Sequence, residues 1–132
     1  MNWNDALRHV CRAYINQPLQ YGTRDCCQFA ALYVEARTGV DHAAAFRYDS
    51  ELAAARILKE SGGIESLISA CIGSPRDGPS VEGDLVACDL AIDAEHVVRT
   101  LGINNGTYVW GIHPDDGLCR IPARSIITAW SV

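Results

Sequence analysis

Asp25, Cys26 and Cys27 are the residues of this chain best placed to do chemistry. They lie in YGTRDCCQFAALYVEARTG, residues 21–39, just after the turn-forming Gly22 and Thr23. A helical pattern follows them. Phe29, Ala30, Tyr33 and Val34 come three, four, seven and eight residues after Cys26, which marks one buried helix face. Asp25 suits the N-cap, and Gly39 suits a stop just past Arg37. Both cysteines then fall in the first turn, where unpaired N–H groups and the helix dipole favour an anion. A thiolate forms there more easily than in an ordinary cysteine, and a thiolate is a nucleophile. The competing reading is a pair of small hydrophobes packed under a helix start.

A cysteine nucleophile needs an imidazole to take its proton and a polar group to orient that imidazole. The chain has four histidines. His9 flanks the apolar stripe of the first helix and reads as a surface or packing residue. His42 belongs to a loop and has no catalytic or metal-ligand spacing. His96 and His113 fall in the strand-rich half and are the two candidates for the base.

Other groupings are weaker. Six cysteines, at positions 11, 26, 27, 71, 88 and 119, are scattered over separate elements with no CxxC, unlike a secreted disulfide framework. Reduced thiols are expected. A zinc or iron–sulfur site drawn from Cys26, Cys27, Cys71, Cys88 and Cys119 is the alternative, and it lacks the usual close pair. Asp84, Asp89, Asp93 and Glu95 read as a solvated acidic surface. Asp115-Asp116-Gly117 is a turn without the alternating oxygens of a calcium loop. Gly62-Gly63 is a helix break, since no Lys-Ser/Thr follows to make a phosphate loop. No cofactor and no metal is expected.

The elements that position these groups divide the chain in two. A helix is predicted over residues 4–14, with Asn4 as cap and Trp3, Leu7, Val10, Cys11 and Tyr14 as its stripe. After the helix that opens at Cys26 comes a loop at 38–42. An Ala-rich helix at 50–59 follows, facing inward through Leu52, Ala55 and Leu58, and then a short helix at 64–71 facing inward through Ile64, Leu67, Ile68 and Cys71. Residues 73–83, GSPRDGPSVEG, form a loop between the halves. Beyond it the period changes to strands at 84–88, 97–103, 107–112 and 118–121, with Asn105-Gly106 as a hairpin turn. Residues 126–132 form a last strand or short helix. Helices first and an antiparallel meander afterwards make an α+β fold. One domain spans 1–132, with a helical half at about 1–72 and a β half at about 84–132.

The bulk numbers narrow the partners. A formal charge of −5 argues against nucleic acid or an anionic membrane surface. No apolar run reaches the length of a membrane span. The opening MNWNDALRHV has no basic start followed by an apolar stretch, so folding in a cytoplasm is expected.

A turn, Asp-Cys opening a buried helix, a Pro/Gly loop into Gly-Asp-Leu-Val, and a β-meander together resemble the NlpC/P60 superfamily of papain-like cysteine peptidases. The nearer likeness is to a small NlpC/P60-like group of bacteriophages and prophages found near tail genes. It rests on YGTRDCCQFAALYVEARTGVD, SGGIESLI, EGDLV, TLGINNG and GLCRIP…AW, and spans nearly the whole chain. The resemblance implies a papain-like fold with N-terminal helices packed on a C-terminal antiparallel β-meander, and it puts the nucleophile at Cys26. It also puts Thr100 where the superfamily has its His and Trp110 at the orienting position. Thr cannot act as a base near neutral pH, and Trp offers only one donor. A base would have to come from His96, four residues before Thr100, or from His113.

Three readings follow. The first is a phage tail-tip or baseplate protein with a degenerate papain-like site, acting through contacts with other tail proteins. It would be found in the host cytoplasm during assembly and then at the virion tail tip, and Trp3, Trp110 and Trp130 would be its candidate interface anchors. The second is an active cysteine hydrolase on peptidoglycan peptides, and the third a cysteine-ligated metal module.

Overall fold

The structure is a computed structural model describing all 132 residues. Four α-helices precede a five-stranded antiparallel sheet, so the chain is α+β. The helices are α1 (Trp3–Tyr14), α2 (Cys26–Thr38), α3 (Glu51–Glu60) and α4 (Ile64–Ile72). The strands are β1 (Leu85–Ala91), β2 (Val97–Asn104), β3 (Tyr108–His113), β4 (Gly117–Pro122) and β5 (Ile126–Trp130).

The cap of α1 is Asn2, not the expected Asn4, and its side chain accepts from the Asp5 N–H at 2.8 Å. Starting two residues earlier brings Trp3 into the helix, where its side chain lies against Gly83. Tyr14 and Phe29 meet edge-on at 5.2 Å and lock α1 to α2. α2 starts and stops where expected: Asp25 caps it, and Gly39 ends it at φ +83°, a left-handed conformation that glycine adopts without strain.

The sheet order is β4-β3-β2-β1-β5, so only four strands form the meander. β5 returns to pair with the far side of β1. This corrects the expected simple meander, and the residues behind the return form a second core. Leu85, Ala87, Leu101, Ile103, Ile112 and Trp130 face the helices, whereas Val86, Cys88, Val109, Ile121 and Ala129 pack on the opposite face. Ile121 and Ala129 belong to opposite edge strands, and Val109, Val86 and Cys88 lie between them, so this second cluster runs across the sheet from one edge to the other. The strands therefore bury both faces.

The predicted inward face of α3 is also corrected. Leu52 is 64% exposed and Ala55 is exposed, while Ala54, Ile57 and Leu58 turn inward and are only half-buried. In an Ala-rich helix, adjacent registers of the stripe are equally apolar, so spacing cannot fix the helix's rotation. No residue of α3 is fully buried.

Asp84 is not part of a solvated acidic surface. It is 2% exposed and accepts two bonds from Arg76, both at 2.8 Å, one from the Ser80 hydroxyl at 3.2 Å and one from the Val81 N–H at 3.0 Å. These bonds fasten the 73–83 loop to the start of β1. Trp130 is 1% exposed, with its ring N–H on the Ser69 hydroxyl at 3.1 Å, so it is a core residue and not a surface anchor.

Candidate functional site

The start of α2 is built around Asp25, which is buried at 4% exposure. One carboxylate oxygen accepts from the Gln28 N–H at 2.9 Å and so caps the helix. The other accepts from the Gly22 N–H at 2.8 Å and from the Tyr48 hydroxyl at 2.7 Å. Tyr48 thus ties the segment after α2 back to its N-terminus. Gly22, at φ +89°, makes room for this: a Cβ there would lie 1.9 Å from the Tyr48 carbonyl oxygen. Sequence reasoning missed Tyr48, because a lone aromatic in Arg47-Tyr48-Asp49 carries no spacing signal.

Cys26 is the first residue of α2 and is half-buried. Its thiol is held below the ordinary value of 9.0, chiefly by the Cys27 thiol beside it. The Leu101 N–H and the Thr100 hydroxyl act in the same direction, while burial and the Asp25 charge oppose them. Cys27 goes the other way: the neighbouring Cys26 and its own burial push it far up. Of the two thiols, Cys26 is therefore the one that gives up its proton more readily, with Cys27 as the donor beside it.

Thr100 is 3% exposed, and its hydroxyl donates to the Ile112 carbonyl oxygen at 3.2 Å across the β2–β3 gap. A threonine has one O–H to give. While that proton is on Ile112, the hydroxyl cannot also donate to the sulfur, so the thiolate support comes mainly from Cys27 and the Leu101 N–H. A threonine oxygen so placed takes no proton from a thiol.

The two candidate histidines sit in different surroundings. His96 is exposed, and its Nδ1 lies 2.8 and 2.9 Å from the two carboxylate oxygens of Asp93. That leaves Nε2 free, which is the hydrogen-bonding state a general base needs. Its place is wrong, however: four residues along an extended strand set it about 13 Å from Thr100. His113 fails by its tautomer. Its Nδ1 accepts from the backbone N–H groups of Asp115 at 3.0 Å and Asp116 at 3.3 Å. The neutral ring then carries its proton on Nε2 and presents a donor. No imidazole is among the groups that polarise Cys26.

Trp110 is half-buried and does not orient a histidine. It meets Tyr108 edge-on at 5.5 Å, and the Arg120 guanidinium lies over both rings, 5.1 Å from Tyr108 and 5.5 Å from Trp110. His9 is exposed on α1. His42 opens a short 3₁₀ helix (His42–Ala45) where a loop was expected, and it lines an apolar cavity together with Cys27. No three His, Cys, Asp or Glu side chains converge as a metal site would require. No helix is long and apolar enough to cross a membrane.

A family model described as a domain of unknown function, DUF6950, matches residues 1–132. The chain belongs to that family. No curated protein matches it, and no solved structure does.

Proposed function

We propose that this protein is a papain-like module of NlpC/P60 type whose cysteine site has lost its base, and that it acts by binding other proteins. The observation that carries this reading is Thr100: it sits beside the Cys26 sulfur with its only hydroxyl proton directed at Ile112. The helix-start thiol, its Asp25 cap and the adjoining strand β2 are the parts such a fold needs, and the imidazole is the part the site lacks. The partners are other phage or prophage tail-tip or baseplate proteins. For these, and for a place in the host cytoplasm and then at the tail tip, the support is the sequence resemblance. Trp3 and Trp110, both half-buried, are the tryptophans left for such a contact.

A second reading, a hydrolase of peptidoglycan peptides, is favoured by one observation, the lowered Cys26 thiol. Incubation with purified sacculi separates the two. The binding reading expects no release of peptide fragments, and co-purification with co-expressed tail-tip proteins that Cys26→Ala leaves unchanged. Fragment release that Cys26→Ala abolishes would overturn it.

A further inference from the structure

Behind Cys27 lies a partly open cavity of about 70 Å³ between α2, α3, α4, the 3₁₀ helix and Leu85 at the start of β1. One water needs about 10–15 Å³ of such space, so the cavity is several waters in size. Fifteen of its 17 lining residues are hydrophobic, among them Ala30, Ala54, Ile57, Leu67 and Cys71. A lining this apolar favours apolar ligands, because water against it lacks hydrogen-bond partners.

The packing around it is incomplete in a matching way. α3 buries no residue fully although its inward face is apolar, and that face forms one wall of the cavity. A second recess shares Gln28, Ala43, Phe46 and Tyr48 with the first, and it is edged by both Arg47 and Asp41. The site therefore has an apolar interior and a polar mouth in which one cation and one anion offset each other. A free carboxylate or ammonium would gain on one of them and be repelled by the other.

We propose that this cavity is a binding site for a short alkyl chain with a neutral, hydrogen-bonding head such as a hydroxyl or primary amide. The chain fills the space between α2, α3 and α4, and the head meets Gln28 and Tyr48 at the mouth. This site is separate from the Cys26 reading and stands whether or not Cys26 is reactive.

Calorimetric titration of the full chain with butanol, hexanol, octanol and decanol tests it. Binding at one site should tighten about fourfold per added methylene and then level off once the cavity is full. Octanol and octanamide should bind more tightly than octanoate. Ala54→Leu and Cys71→Leu, which fill the cavity from two different helices, should each weaken octanol binding at least tenfold while keeping or raising the melting temperature. No saturable binding of any of the alcohols, unchanged binding in a folded filled variant, or tighter binding of octanoate would overturn the proposal.

Discussion

The Thr100 hydroxyl donates to the Ile112 carbonyl oxygen at 3.2 Å, although it lies beside the Cys26 sulfur. A serine or threonine held this way is a strand-pairing device. It replaces a ladder bond where the regular β2–β3 pairing has ended at Gly102 and Gly111. Thr100→Val keeps the shape and removes the bond, leaving the Ile112 carbonyl without this donor. The expected cost is about 1–2 kcal/mol in urea unfolding, with little change in how fast Cys26 is alkylated. A large fall in Cys26 reactivity would assign the hydroxyl a chemical role.

Cys27 is the largest influence on Cys26, and that relation has a sign. The thiolate is the form that reacts, so a lowered thiol reacts at lower pH. Cys27→Ala removes the donor and should move the midpoint of the Cys26 alkylation profile upward, toward 9.0. Cys27→Ser keeps a donor and should move it less. Mass-spectrometric tracking of the modified peptide reads both variants, and an unmoved midpoint would show that the two thiols do not act as a pair.

Asp25 carries more than a cap. Asp25→Ala loses the bonds to Gln28 and Gly22 and leaves the Tyr48 hydroxyl without its acceptor, so a loss of about 2–4 kcal/mol is expected. Tyr48→Phe removes only one bond and should cost about 1–2 kcal/mol. Equal losses in the two variants would place most of the stabilisation in the tyrosine contact.

Alkaline stability follows from the buried thiols. Burial pushes Cys11 up to about 11 and Cys88 up to about 12 from an ordinary 9.0. A raised folded-state value means that the folded chain resists losing these protons. The stability this represents is fully present below pH 9 and is lost as pH rises through about 11–12. Melting temperatures should hold between pH 7 and 8.5 and fall above pH 9, and Cys88→Ala should flatten that fall. A flat profile to pH 11 in the native chain would contradict the assignment.

Much of this was legible in the sequence, and the reasons differ from place to place. Asp25, the Phe29–Val34 face and Gly39 reported α2 faithfully, because cap, stripe and stop are local signals that agree with one another. The Asn105-Gly106 turn announced its hairpin in the same local way. The return of β5 to β1 was not legible, since strand order depends on which faces need covering and not on spacing along the chain. Asp84 read as surface because its partner Arg76 lies in a loop with no pattern of its own. At the site, the place of Cys26 at the helix start was visible and the state of the histidines was not. His113 is disqualified as a base by two backbone N–H groups that only a folded turn can aim at its ring.

Whether Cys26 has a base decides between a binding module and a hydrolase. Alkylation of Cys26 by iodoacetamide, followed by mass spectrometry from pH 4 to pH 10, tests this most directly. A thiol without an imidazole partner gives a single rise through one ionisation and little reaction at pH 5, which is the predicted result. A plateau of fast reaction persisting at pH 5, abolished by His96→Ala or His113→Ala, would mean that a thiolate–imidazolium pair exists and that the protein is a hydrolase.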